Sequence, residues 1–211
     1  MIGSPMCRMV TFASLLRMTD RMTELSRQVS GLHQELDEDI QSFQSATGLH
    51  CRFGCGKCCL KPDIEATPLE FLPLALELYR EGQADAWLES IASGGSVCAV
   101  FNAEQEGAGK CSRYHDRGMI CRLFGYSARR NKYGAKDLIT CSIIKEEQVQ
   151  SFSMATIKIG EGLPVPIAAD YYARLRGIDP VLGSVQLPIN KAISRALETV
   201  IGYYYYQGQE S

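Results

Sequence analysis

Cys51-Arg52-Phe53-Gly54-Cys55-Gly56-Lys57-Cys58-Cys59 places four thiols within nine residues. Buried cysteines are common as small apolar side chains, but packing does not call for four so close together. Gly54 and Gly56 flank Cys55 and allow a tight wrap at little steric cost. A soft metal takes several thiolates at about 2.3 Å, tetrahedrally for zinc, and a short loop of this kind can turn two or three side chains onto one point. Cys58 and Cys59 are adjacent and project differently. They therefore serve two metals, or one metal and a packing or redox role. The other ligands must come from a distance, and Cys98, Cys111, Cys121 and Cys141 are the candidates. The predicted metal-ligand set is Cys51, Cys55, Cys58, Cys59, Cys98, Cys111, Cys121 and Cys141. Cys7 stands alone near the terminus and reads as a bystander. The centre is thus irregular, and the regular structure must lie around it.

On the N-terminal side, the stretch from about Val10 to Ala46 contains no proline and only Gly31 as a glycine. Leu15, Met18, Met22, Leu25, Val29, Leu32, Leu36, Ile40 and Phe43 recur at steps of three and four, a near-heptad seam. One helix of this length would span on the order of 55 Å, which predicts that part of it projects or pairs with another chain. Two arrangements remain open: helices hinged at Gly31 and packed on the domain, or self-association into a homodimer or with a protein partner. Residues 1–48 are expected to form this helical segment, and 49–211 the cysteine-cluster domain with its C-terminal helices.

On the C-terminal side, Thr67-Pro68-Leu69-Glu70 reads as a helix start with a capping box. A shorter helix follows around Ala84–Ile91. The apolar run Val97–Phe101 and the return Gly107-Ala108-Gly109-Lys110 suggest a small β-hairpin. Ile139–Ser153 and Pro166–Arg176 read as helical, and Leu187-Pro188 opens a last helix. The predicted fold is mainly α, a helical domain around a cysteine-rich centre. No strand, Gly-rich loop and helix in series marks a nucleotide site.

Composition sets the surroundings. The chain has 211 residues and a formal net charge of -2, so nothing in the total points to nucleic acid. No basic stretch followed by an apolar run opens the chain, and no run approaches the ~18 apolar residues of a membrane span. The expected compartment is the cytoplasm, where thiols stay reduced; nine cysteines, an odd number, suit ligands better than a disulfide framework. Between Cys98 and Cys141 stand eight basic residues against four acidic ones. Cations near a thiolate cluster favour the deprotonated sulfurs. Arg122, directly after Cys121, is the cation expected nearest the metal. His50 and His115 flank cysteines and could replace a thiolate, though each reads more readily as an ordinary or supporting histidine. His33 has no partner in sequence and receives no role.

These residues resemble the YkgJ-like cysteine-cluster family, a zinc- or iron-chelating domain with a CxxCxxCC signature. The resemblance runs from Cys51 through Cys59 to Thr67-Pro68-Leu69-Glu70. It continues at Cys98, at Gly109-Lys110-Cys111-Ser112-Arg113-Tyr114, and at Asp116-Arg117-Gly118-Met119-Ile120-Cys121-Arg122. It implies that Cys98, Cys111, Cys121, Arg117 and Arg122 take family motif positions, with Cys141 as a late cysteine and Arg117 and Arg122 beside the cofactor. Three departures stand out: three residues rather than two separate Cys51 from Cys55, Ala99 replaces a common proline, and Gly118 replaces the proline after Arg117.

Three functions follow as expectations. The first is a metal-binding protein holding zinc ions or an iron–sulfur cluster. The second is an iron–sulfur oxidoreductase or protein-modifying enzyme, which the family resemblance allows but no separate cofactor fold supports. The third is a metal-handling or interaction module that recruits a partner through the N-terminal helix. A nucleic-acid reader ranks last, because the basic residues lack an accompanying recognition helix.

Overall fold

The computed structural model describes residues 20–52, 54–105 and 108–208. Cys7 and the helical expectation for residues 10–19 lie outside them. The chain opens with α1 (Arg21–Thr47), the two-residue strand β1 (Glu65–Ala66), α2 (Leu72–Arg80) and α3 (Ala84–Ser93). A hairpin of β2 (Phe101–Gln105) and β3 (Ala108–Cys111) leads to the short α4 (Met119–Leu123). Strands β4 (Ser127–Arg130) and β5 (Lys136–Ile139) form a second hairpin, followed by α5 (Ser142–Glu147), α6 (Val149–Gly160) and α7 (Ala168–Ile178). The short α8 (Pro180–Gly183), β6 (Leu187–Pro188) and α9 (Ile189–Gln207) complete the chain. The fold is mainly α, and its sheets are antiparallel pairs of two strands. Among the described residues no helix is long and apolar enough to cross a membrane.

Helix α1 starts at a cap: the Asp20 carboxylate accepts from Thr23 N at 3.0 Å and from Thr23 Oγ1 at 2.9 Å. It stops at Gly48, whose φ of 74° ends the helix in the left-handed region. It runs unbroken through Gly31, because the glycine's helix penalty of about 1 kcal/mol is outweighed by packing on both sides, where Val29 and Leu32 are buried. The seam residues Met22, Leu25, Val29, Leu32, Leu36, Ile40 and Phe43 are all buried, and α1 packs against α2, α4, α6 and α7. The described part of the helix is therefore a central element, with its apolar face consumed inside the fold.

The opposite side of the core is α9, laid on α2 and α3. Its approach is fixed by β6 pairing with β1, Ala66 opposite Leu187. The run of tyrosines at its end, unexplained by sequence, ties α9 back to the start of α1. Tyr204 stacks on Tyr79 at 4.7 Å and donates to Asp20 Oδ1 at 2.9 Å, while the Tyr203 hydroxyl accepts from Arg21 N.

Two expectations are corrected locally. The first strand of the hairpin begins at Phe101, not Val97, because the preceding backbone donors are taken elsewhere. Cys98 N donates to Cys59 O at 3.2 Å, and Ala99 N to Asn190 Oδ1 at 2.8 Å. The helix expected over Ile139–Ser153 is interrupted: Ile139 ends β5, and α5 and α6 meet at Gln148.

Candidate metal centre

The cysteine loop leaves α1 and passes beneath the first hairpin. Gly109 N donates to Gly54 O at 3.1 Å, and Cys59 N to Gly56 O at 2.9 Å. Gly56 has φ 57°, and a Cβ there would lie 2.7 Å from Gly109 O, so only glycine lets loop and hairpin close to this distance. Phe101 pairs with Cys111 in the hairpin, which brings the fifth thiol to the loop. Cys121 rides on α4, and Cys141 sits at the N-cap of α5.

Helix α4 is held by a carboxylate. Thr67 and Glu70 form the capping box expected from sequence, with Thr67 N donating to Glu70 Oε1 at 2.7 Å. The other oxygen, Oε2, accepts from Ile120 N at 2.7 Å, so one fully buried side chain clasps the starts of two helical segments. Burial pushes the Glu70 carboxyl up to about 7. Gly118 makes room for this clasp: a Cβ there would stand 2.7 Å from Phe71 Cζ and 2.8 Å from Glu70 Oε2. The departure from the family's proline thus has a steric reason in this chain, since proline also carries a Cβ.

Four thiols from three segments, Cys58, Cys59, Cys98 and Cys121, line one small cavity of about 40 Å³, walled by Ile64, Ile120, Phe124 and Ile189. Lys61 is the cation in its lining. Cys111 is coupled electrostatically to Cys58, Cys98 and Cys121. Cys51 is coupled to Cys55, Cys58 and Cys141. The eight predicted ligands therefore fall into two neighbouring groups that meet at Cys58. All eight are unpaired thiols; Cys51 and Cys58 are exposed, and Cys98 is buried.

The sulfurs line a common space without converging on a point. Among the described residues no three Cys, His, Asp or Glu side chains are placed around one ion position. The fit to a metal lies in the donor chemistry. Burial pushes the Cys98 thiol up to about 11 and raises Cys121, Cys111 and Cys51 as well, so these thiols stay protonated unless a cation enters among them. Cys58 is the exception: the hydrogen bond it receives from the Cys59 thiol holds it below the ordinary thiol range and raises Cys59 in turn. A soft, thiol-lined pocket with apolar walls suits zinc or iron.

The basic stretch is spent mostly on carboxylates. Arg52 pairs with Glu147, Arg113 with Glu81, and Arg130 with Asp170. Arg117 and Arg122, both expected beside the cofactor, direct their guanidinium groups to Asp37 of α1, at 2.9 Å and 3.3 Å. Arg122 also donates to the carbonyls of His115 and Arg117. The two arginines thereby lock the 113–122 segment to α1 and hold Cys121 from behind. His50 turns to Gly48 O, and neither it nor His115 lines the thiol cavity.

His33, given no role by sequence, is 3% exposed beneath these arginines. Burial, with Arg122 and Arg117 adding repulsion, holds its imidazole down to about 3. The unfolded chain takes up this proton near pH 6.5 and the folded one only near 3, so the contribution is complete above 6.5 and lost as pH falls through the window. Urea titrations should show the stability advantage of the native protein over His33→Gln shrinking by up to about 1.4 kcal/mol per pH unit on acidification from 6.5. A constant difference would mean that the folded and unfolded chains take up this proton at the same pH.

A helical scaffold presents clustered thiols from five chain segments. Residues 50–151, a little under half of the chain, match the model of the CxxCxxCC family, whose description reads "Putative zinc- or iron-chelating domain". No curated protein and no solved structure matches the chain.

Proposed function

We propose that this protein binds zinc or iron through its cysteine thiolates, with the cavity of Cys58, Cys59, Cys98 and Cys121 as the primary site. The observation that carries the reading is this cavity, where thiols distant in sequence share one apolar-walled space. Cys58 and Cys59, expected from sequence to serve separate roles, line the same space, and with Cys98 and Cys121 they offer the four donors that one tetrahedral ion takes. Cys111 adjoins this group, and Cys51, Cys55 and Cys141 supply a second one. The loop carrying Cys51–Cys59 is tied to the body by a few backbone hydrogen bonds, so small movements of the loop can draw the sulfurs inward. A bound metal would supply a Lewis-acid or redox centre; the chain supplies thiolates, an apolar wall and Lys61 as a counter-charge.

Exposure of Cys51 and Cys58 beside the buried Cys98 favours a second reading, metal handling, because a ligand at the surface gives an ion a way in and out. Anaerobic purification from metal-replete cells, followed by analysis for zinc, iron and acid-labile sulfide, tests both. Stoichiometric zinc, or iron without sulfide, is expected, falling by at least half in Cys121→Ser. Iron matched by sulfide would replace the single ion with an iron–sulfur centre. Metal-free protein with nine titratable thiols would overturn the reading.

A further inference from the structure

Helix α9 lies outside the matched residues 50–151, yet its first two residues reach the thiol cavity. Ile189 forms part of the apolar wall, and its N–H donates to the carbonyl of Ile64, another wall residue, at 2.8 Å. The next residue, Asn190, is half-buried and directs its amide to the segment that carries Cys98. Its Oδ1 accepts from Ala99 N at 2.8 Å, and its Nδ2 donates to Val97 O at 2.8 Å and to Gly95 O at 3.1 Å.

These bonds fall on both peptide groups that flank Cys98. The remaining polar atoms of the same two peptides are also paired: Cys98 N donates to Cys59 O at 3.2 Å, and Cys98 O accepts from Phe101 N at 2.9 Å. With both peptide planes fixed, the Cys98 sulfur is left only its side-chain rotamers. The segment has little else to order it. Gly94 and Gly95 lead into it and residues 94–97 are exposed, and glycine loses more freedom on ordering than any other residue. Ala99 completes the arrangement. A proline, common at this position in the family that the sequence resembles, has no N–H to give, whereas alanine supplies the donor that Asn190 takes. The departure at 99 and the asparagine on α9 therefore belong together.

We propose that Asn190 is a positioning residue of the thiol centre. It holds Cys98 at the cavity shared with Cys58, Cys59 and Cys121 before a metal arrives, as the outer partners of metal ligands do. Its purpose rests on the metal reading above; its hold on Cys98 does not, and the two are tested separately.

The first readout is taken on reduced, metal-free protein. Asn190→Ala should speed alkylation of Cys98 by iodoacetamide about tenfold, the worth of roughly one net hydrogen bond. Cys121, carried by α4, should keep its native rate. The second readout is zinc affinity, by competition with a chromophoric chelator, and Asn190→Ala should bind about 10–100-fold more weakly. Asn190→Asp keeps an acceptor for Ala99 N but turns an oxygen toward Val97 O and Gly95 O. It should move both readouts the same way, and it serves as the test variant if the alanine protein fails to fold. Equal acceleration of Cys98 and Cys121 would make Asn190 a general structural residue and overturn the proposal. So would an unchanged Cys98 rate, or native zinc affinity alongside a faster Cys98. A native protein that takes up no metal would remove the metal reading, and with it the purpose assigned to Asn190, while the alkylation pattern would still decide whether it holds Cys98.

Discussion

Replacing Glu70 with alanine is expected to destabilise the protein by about 3–5 kcal/mol. The side chain is fully buried and satisfies donors from three places. Its Oε1 accepts from Thr67 N at 2.7 Å and Thr67 Oγ1 at 3.1 Å, its Oε2 from Ile120 N at 2.7 Å, and the Tyr172 hydroxyl also reaches it. Alanine would leave two backbone N–H groups and two hydroxyls without this acceptor in a dry interior, each at roughly 1–3 kcal/mol, and would open a cavity beside Phe71. Glu70→Gln keeps one acceptor oxygen and should cost less than half as much. Denaturant titration gives the stability, and the alkylation rate of Cys121 in the native state gives the local consequence. Loss of the clasp should free α4 and speed that reaction. A stability change below about 1 kcal/mol with unchanged Cys121 reactivity would show that the two helix starts are held by other contacts.

Phe43→Ala should cost about 3–5 kcal/mol, and Leu36→Ala about 2–5 kcal/mol. Both side chains are at most 1% exposed and lie on the apolar face of α1, which meets α2, α4, α6 and α7. The loss should be the same at low and high protein concentration, because the contacts lie within one chain. A helix that projected and paired with a second copy would give small losses in dilute solution and a midpoint that moves with concentration. Urea unfolding at two concentrations a hundredfold apart, by dilution, separates the two cases.

These expectations rest partly on what the sequence already carried. The steps from Met22 to Phe43 identified the buried face of α1, since a near-heptad repeat shows which side of a helix is apolar. It does not show what covers that side, and the cover comes from helices as distant in sequence as α7, whose Arg174 pairs with Glu35 139 positions away, so interior and arm looked alike. The capping box at Thr67 and Glu70 was legible because it is local. The second half of that carboxylate's work, at Ile120, is a contact across 50 positions and left no local mark. The β4–β5 hairpin did leave one that was missed. Asn131 Oδ1 accepts from Tyr133 N and Ala135 N, and Gly134 takes φ 81°, an Asn-x-x-Gly turn chemistry that connects strands.

At the centre, clustering made the thiols conspicuous, and the structure groups them around Cys58. The direction of Arg117 and Arg122 was illegible, since adjacency to a cysteine in sequence says nothing of where a long side chain ends. Asp37, on α1, takes both guanidinium groups. His33 was passed over for the related reason that a lone histidine on a helix shows its burial only once the opposing segment is in place.

The pairing of β1 with β6 and the packing of α9 on α2 bear on how this domain can be moved between proteins. A fragment cut to residues 50–151 would lack α1 and α9 and would turn Leu72, Leu74, Ala75 and Leu78, all buried in the intact chain, toward water. The cysteine segment is therefore not a portable cassette. Transplanting it into a host scaffold, or expressing it as a minimal unit, requires carrying both long helices with it, from Asp20 to the tyrosines that close on it.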